Sequence, residues 1–456
     1  MRLYSENENY KLYHGNMLDM LDVIEPNSID SIITDPPYEL NFMNKGWDNS
    51  GIAFNKDAWK KCFDVIKPGG YLLAFGGSRT FHRIAVAIED AGFEIKDTIM
   101  YLYGSGFPKG LNIGYAVDKR NGVESVELEN SPNARPSGNK ENNLYNLGTV
   151  GKNFKVKIAQ NEWQGWNTQL KPSYEPIIVA QKPVEKSIVD NVLKYGVGGL
   201  NINECKIGSD VIKGGTMPKM SDGELGVCNF KTIGADRIER EDTFGRYPAN
   251  VIHDGSDEVV NLFPDSKSTG SDYNFESSNQ DNTTHLYTNI KSGKHFEDEG
   301  SCARFFYTAK ASRFDRDEGL DDLESKRKYV DTGTRKPEGK SIMEGSNVVA
   351  KNIHPTCKPC DLMRYLVRLV SPKGATVLDC FNGSGSTGKA VMLENKQYHK
   401  DYKYIGIELT EEYLPIAKAR IEYICNNEFD FWKDENGKEQ RQVKDKDVIT
   451  IFDFTD

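Results

Sequence analysis

Asp35-Pro-Pro-Tyr38 closes the strand-like run Ser28–Thr34 (Ser-Ile-Asp-Ser-Ile-Ile-Thr). Proline has no N–H for a ladder and a fixed φ, so an apolar strand that meets an acid and two prolines must turn. The carboxylate and the phenol ring are thereby held on a stiff loop at a strand's C-terminal end, where open α/β sheets bind ligands. A carboxylate, rigid backbone carbonyls and an aromatic ring suit one task well. They can accept the hydrogens of an exocyclic amino group while the ring stacks on the base that carries it. An ordinary Pro-Pro turn has the same local sequence, so the reading needs support from elsewhere in the chain.

Asp379-Cys-Phe-Asn-Gly383-Ser-Gly385-Ser-Thr-Gly388 follows a second strand-like run and opens a helix-like one. Gly383, Gly385 and Gly388 have the G-x-G-x-x-G spacing, which permits a tight turn, close approach of a ligand and a helix start with unpaired N–H groups. Glu408 ends the next strand, twenty residues beyond Gly388, where an acid can grip ribose hydroxyls. These features point to a nucleotide-like cofactor. On their own they fit a dinucleotide and an adenosine-bearing methyl donor equally, and a glycine turn kept for packing is a third account.

The elements that must hold these groups alternate. Strands are predicted over Tyr10–His14, Ile29–Thr34, Tyr71–Phe75 and Phe93–Tyr103, with helices over Asn16–Ile24, Trp59–Ile66 and Arg79–Ala91. The rhythm resumes after His354: helix Asp361–Val370, strand Thr376–Cys380, helix Thr387–Leu393, strand Lys403–Glu408 and helix Glu411–Tyr423. Such alternation predicts an α/β, doubly wound parallel sheet. Between Gly104 and Leu170 the pattern dissolves into Gly, Asn, Ser, Pro and Lys, which reads as a long mobile excursion. A proline-framed strand follows at Lys171–Pro183. Residues 190–350, rich in Gly, Asp, Asn and Ser, read as a second, irregular module, and Asn426–Asp456 as a solvated acidic tail.

A chain of 456 residues can bury two or three cores. It has no run of ~20 apolar residues and begins Met1-Arg2-Leu3-Tyr4-Ser5-Glu6 without an apolar leader, so a cytoplasmic location is expected. Eight scattered cysteines, with only Cys357 and Cys360 close together, predict reduced thiols and no metal site. The net charge of −10 runs against a polyanionic partner, yet Gly104–Gln160 holds eight Lys/Arg to five Asp/Glu, and phosphate contact depends on such local patches. Lys326-Arg327-Lys328 is a solvated run or a phosphate contact. Pro264-Asp265 begins like a nuclease motif with no Glu-x-Lys after it, and Cys360 reads as a packing residue at a helix start.

Three motifs in their order resemble the DNA amino-methyltransferase family, which methylates adenine N6 or cytosine N4 with S-adenosylmethionine. They are Asp35-Pro-Pro-Tyr38, the Asp379–Gly385 loop in its F-x-G-x-G form, and Asn352-Ile-His354-Pro-Thr356-Cys-Lys358-Pro359 upstream of that loop. The tetrapeptide before the glycine loop is similar to the family's β arrangement. Tyr71–Gly77 with Ser78-Arg79-Thr80, Gly104-Ser-Gly-Phe-Pro-Lys109 and Ser173-Tyr-Glu-Pro176 resemble phage and prophage members. The resemblance implies a Rossmann-like class I methyltransferase fold, circularly permuted, so that the strand pair 376–380 and 403–408 lies beside the strand ending at Asp35 and Tyr10–His14 follows Glu408 in space. It implies Asp35, Pro36, Pro37 and Tyr38 as the catalytic set acting on a base flipped out of double-stranded DNA. S-adenosylmethionine is then held by the glycine turn (Asp379, Phe381, Gly383, Gly385, Ser386, Thr387), by Glu408 and Asp35, and by Asn16, where the family usually has Asp. His354, Thr356 and Lys358 resemble the element that holds its methionine end.

The implied organisation is a catalytic half at 1–183, carrying the excursion 104–170, a target-recognition module at 190–350, the cofactor half at 351–425, and the tail 426–456. Asn44-Lys-Gly-Trp47-Asp48 resembles a mobile loop near the target base. Adenine N6 is favoured over cytosine N4 because Asp leads the tetrapeptide. The rivals are an N-methyltransferase acting on RNA or a protein amide, a catalytically dead DNA-binding module, and a nicotinamide dehydrogenase, which would leave Asp35–Tyr38 and His354–Lys358 without a role.

Overall fold

The computed structural model describes residues 2–40, 48, 50–106, 110–123, 126–128, 156–212, 216–218, 237–239, 243–268, 298–309, 313–327, 349–433 and 439–444. One mixed sheet of ten strands organises them. In chain order the strands are β1 (Arg2–Glu6), β2 (Tyr10–His14), β3 (Ile29–Thr34), β4 (Ile66–Phe75), β5 (Glu94–Leu102), β6 (Tyr174–Gln181), β7 (Val251–His253), β8 (Tyr307–Thr308), β9 (Thr376–Asp379) and β10 (Lys403–Glu408). Their spatial order is β1-β2-β10-β9-β3-β4-β6-β5-β7-β8. The five neighbours β2, β10, β9, β3 and β4 are parallel, and β6 enters antiparallel between β4 and β5. The permutation expected from the motif order is present: β9 pairs with β3 through Val377↔Ser31 and Leu378↔Ile32, and β2 pairs with β10 along its whole length.

Parallel neighbours need crossovers, and the helices that make them cover both faces. Helices α1 (Met17–Leu21), α2 (Lys56–Val65) and α3 (Phe81–Asp90) close one core around Met20, Trp59, Cys62, Ile84 and Ile88. Helices α4 (Cys360–Val370), α5 (Ser386–Tyr398) and α6 (Leu414–Asn426) close the other around Leu366, Val391, Ala417 and Ile421. Every residue of β3 is buried although three of the six are polar. Each polar side chain there has a partner on a neighbouring strand or at the end of α4. Asp30 takes Lys67 Nζ (2.6 Å) and the Thr376 N–H (2.8 Å), Ser31 meets Ser371 (2.8 Å), and Thr34 donates to Asp379 (2.6 Å).

The structure departs from the sequence expectations in four places. β4 begins at Ile66, where a helix end was expected, and runs through Pro68-Gly69-Gly70 into the expected strand Tyr71–Phe75. A Cβ at Gly70 would lie 2.9 Å from the Asp30 carbonyl oxygen, so the glycine lets β4 approach β3. Within the stretch read as a mobile excursion, Ile113–Asn121 is a helix, capped by Asn112 and ended by Gly122 at φ +70°. The expected acidic tail instead begins with a hairpin, Phe429–Lys433 against Glu439–Val443, with Phe429 buried. From the region 190–350, β7 and β8 extend the main sheet beside β5. Lys326–Arg327 pairs with Val349–Ala350, while Lys328, Asn44–Trp47 and Phe107–Lys109 lie outside the described residues.

Candidate active site

The parallel strands deliver their C-terminal ends side by side. β3 presents Asp35–Tyr38, β9 the glycine turn, β10 Glu408, and β2 Gly15-Asn16, tied to β10 by Gly15 N–H on the Glu408 carbonyl (3.0 Å). The segment Asn352–Pro359, leading into α4, packs across two of these loops.

Its Lys358 is the centre of a cluster around Asp35 and Tyr38. The ammonium, on a side chain only 8% exposed, is 3.1 Å from Asp35 Oδ2 and 3.0 Å from Glu175 Oε2, and donates to the Tyr38 hydroxyl at 2.9 Å. An ammonium has three N–H donors and here three acceptors. Burial works against its charge, but Asp35 and Glu175 outweigh that and hold Lys358 above its ordinary pKa. Burial also pushes the Asp35 carboxyl above its usual range; Lys358 pulls against that shift and Glu175 adds to it. The Tyr38 carbonyl accepts from Thr80 (2.8 Å), and Gly77 lies so close to the Tyr38 ring that a Cβ there would be 3.2 Å from it. Asp35 Oδ1 is buried and, among the described residues, no donor is aligned on it. In so crowded a cluster, one bare carboxylate oxygen marks where a ligand's N–H would fit.

In the glycine turn after β9, Gly383 and Gly385 hold φ of +52° and +74°, which L side chains resist. A Cβ at Gly383 would meet the His354 ring at 2.8 Å, and one at Gly385 the backbone of Ala417 at 2.9 Å. Asp379 fixes the turn: its oxygens accept from Thr34 (2.6 Å), the Phe381 N–H (3.1 Å) and Thr387 (2.6 Å), and burial pushes its carboxyl up to about 6. Arg420 of α6, fully buried, clamps the same turn through the Ser384 carbonyl (2.6 Å) and the Ser386 hydroxyl (3.2 Å). Glu408 accepts the N–H groups of Gly383 and Thr410, each at 2.7 Å, and burial pushes it up to about 7. His354, edge-on to Tyr413 and bonded to the Thr356 carbonyl, is pulled by burial down to about 3 and is neutral. Cys357 bridges the segment to Ser386 (3.4 Å).

The structure thus brings together the tetrapeptide, His354, Lys358, the glycine turn and Glu408. It gives several of them local work. Asn16 is exposed and caps α1 by accepting the Leu18 N–H (3.0 Å), and Thr356 is exposed. The carboxylate of Asp379 and the hydroxyl of Thr387 bond each other inside the turn. Lys358, expected at the methionine end, has its donors on Asp35, Tyr38 and Glu175. Glu175 and Arg420 were not anticipated. Their signal was a charged residue inside an apolar pattern: Glu175 precedes the β6 run Ile177–Ala180, and Arg420 shares the buried stripe of Ile416, Ala417, Ile421 and Ile424.

Residues 29–419 match the family model described as DNA methylase, of the N6/N4 type. This chain belongs to the N6/N4 DNA methylase family. The methylase is similar to the type II methyltransferase M2.LlaDCHI of Lactococcus lactis, at 26% identity over 230 residues, 43% of this chain and 81% of that protein. It is similar to the type II methyltransferase M.HindIII of Haemophilus influenzae at 22% identity over 236 residues, 42% and 65% of the two chains. Among solved structures it resembles the PvuII DNA methyltransferase (cytosine-N4-specific), with TM-score 0.39, 13% identity and 92% and 91% coverage. It also resembles the M1.HpyAVI complex with S-adenosylmethionine, with TM-score 0.34, 14% identity and 90% and 99% coverage. The cofactor of the family is S-adenosylmethionine. The residues present fit it: the glycines let the turn close tightly against His354 and Ala417, and the Glu408 carboxylate, at the end of β10, borders that turn where it would hold a ribose. Among the described residues, no helix is long and apolar enough to cross a membrane.

Proposed function

We propose that the methylase acts at a specific sequence in double-stranded DNA, on the exocyclic amine of a base turned out of the helix, adenine N6 in preference to cytosine N4. The observation that carries this reading is the bare, buried Oδ1 of Asp35 on a loop that two prolines hold rigid. When bound, S-adenosylmethionine supplies a methyl group on an electrophilic sulfonium. The protein's part is to position the amine. Asp35 Oδ1 and the Pro36 carbonyl accept its two hydrogens, which localises the nitrogen lone pair toward the donor. Tyr38 stacks on the base, an interaction worth roughly 1–3 kcal/mol. The turn at Gly383 and Gly385, with Glu408, holds the adenosine end of the donor, and His354, kept neutral, lies beside that turn. Adenine is preferred because Asp, rather than the Ser more frequent in cytosine enzymes, leads the tetrapeptide. Residues 1–183 and 351–425 form the catalytic body, and 190–350 with 104–170 select the sequence through phosphate and groove contacts.

The test is incubation with methyl-labelled S-adenosylmethionine and, separately, DNA, RNA and cell-extract protein. Label in N6-methyladenine is the expected result; label in N4-methylcytosine would change the base, and label only in RNA or protein would overturn the DNA assignment. Asp35→Ala should lower transfer by roughly 10²–10³-fold, the range for removing one preorganised contact to the reacting group, while donor affinity stays within a few-fold.

A further inference from the structure

Lys358 and Glu175 come from segments far apart in the chain and meet only at the catalytic loop. We propose that they form a positioning pair that fixes Asp35 by its Oδ2 and keeps Oδ1 open toward the target amine. This rests on the reading of Asp35 as the residue that receives that amine.

The geometry carries the argument. Lys358 Nζ reaches one oxygen of Asp35 at 3.1 Å, one oxygen of Glu175 at 3.0 Å and the Tyr38 hydroxyl at 2.9 Å, so its three donors are spent. The Phe75 ring, 4.7 Å from Nζ, closes another side. Without Glu175, the third donor would be released and Lys358 could close on both Asp35 oxygens, covering the acceptor that the amine needs. Without Lys358, two half-buried carboxylates would face each other with no counter-charge, and Asp35 would take up a proton. A protonated Asp35 is a poor acceptor for an amine. The charged and titratable groups facing Asp35 are Lys358 from the segment before α4, Glu175 from β6, Tyr38 from its own loop, and Asp379 at the end of β9. Of these, Lys358 alone favours the ionised form by its charge.

The two partners therefore move the pH dependence of transfer in opposite directions. If transfer requires ionised Asp35, its rate falls on the acid side. Lys358→Met should shift that limb to higher pH by roughly 1–3 units, the usual effect of losing an opposite charge at contact distance. Glu175→Gln should shift it to lower pH by roughly one unit, because a like charge is gone while the amide oxygen still accepts from Lys358. Neither should change the donor's dissociation constant more than about threefold, because neither is assigned to the donor.

The experiment is single-turnover methylation of unmethylated genomic DNA with methyl-labelled S-adenosylmethionine from pH 5 to 9.5, with donor affinity by calorimetry on the same preparations. Opposite shifts of the acid limb support the pair. Unshifted limbs in both variants, with Asp35→Ala lowered roughly 10²–10³-fold, overturn the pair and leave the role of Asp35 standing. Full activity of Asp35→Ala overturns the underlying reading as well. A tenfold loss of donor affinity in Lys358→Met, with its limb unmoved, would place that side chain on the donor instead and also overturn the proposal. Glu175→Gln is isosteric and decides the matter alone if Lys358→Met does not fold.

Discussion

Glu408 offers the sharpest test of the cofactor side. Its carboxylate is 7% exposed, accepts the N–H groups of Gly383 and Thr410 on separate oxygens, and is pushed by burial up to about 7, against an ordinary 4.5. If it also receives ribose hydroxyls of S-adenosylmethionine, binding needs the ionised form. Affinity should then be level above about pH 8 and weaken as pH falls through 7, at most tenfold per unit. A hydrogen bond to a charged group contributes roughly 1.5–3 kcal/mol, so the loss should level off after about 10–150-fold, with 1.36 kcal/mol for each tenfold step. Glu408→Gln should begin with most of that loss at pH 8 and show none of the fall. The assay is calorimetric titration with the donor, without DNA, from pH 5.5 to 8.5. Donor ionisation is common to both proteins and cancels in the ratio of affinities. His354, pulled down to about 3, does not titrate in this window. A ratio that stays constant across it would refute the assignment of Glu408 to the donor.

The same shift acts on folding with a defined sign. The native carboxyl keeps its proton up to about 7, the exposed one only to about 4.5. Its contribution to the donor-free protein is therefore full below about 4.5 and lost as pH rises through 7, on the order of 3 kcal/mol in all.

Three further outcomes are expected. Gly385→Ala forces an L residue to φ +74° with its Cβ 2.9 Å from Ala417, and should cost roughly 2–4 kcal/mol in urea unfolding; Gly122→Ala, at φ +70° in open space, should cost only about 1–2 kcal/mol. Glu394, fully buried, bonds Arg364 (2.8 Å) and Arg368 (2.9 Å), which also reach Glu439 of the C-terminal hairpin (3.1 Å each). Glu394→Gln should therefore destabilise by about 3–5 kcal/mol, and Glu439→Gln, at the more exposed carboxylate, by less, both read as shifts in melting temperature. Despite burial, Arg364 and Arg368 hold the Glu439 carboxyl down to about 2, so its contribution is present above the ordinary 4.5 and is lost as pH falls toward 2; the difference between wild type and Glu439→Gln should shrink over that range.

Much of this architecture was legible because period and punctuation agreed. Apolar runs ending in Asp35, Asp379 and Glu408 each marked a strand, and the motif order implied that β9 and β10 lie beside β3. Less could be read where side chains answer to distant partners. Pro68-Gly69-Gly70 has the chemistry of a stop, yet close approach to β3 draws it into β4. The hairpin Phe429–Val443 reads as an acidic tail, because its alternating Phe429 and Phe431 are diluted by charges that pair only in three dimensions, such as Glu439 with Arg368. Glu175 was visible as part of a motif, but its meeting with Lys358 across 183 positions leaves no local trace.

The insertion of β9 between β10 and β3 also sets a schedule for synthesis. Thr34 and its partner Asp379 are 345 residues apart. At ~5–20 residues per second, that interval is on the order of 20–70 s, during which one edge of β3 awaits its neighbour. An apolar edge left open that long would invite pairing with other nascent chains. The polar Asp30, Ser31 and Thr34 later bond to Thr376, Ser371 and Asp379. The groups that seal the finished sheet at its centre are thus without those partners until the second half of the fold has been made.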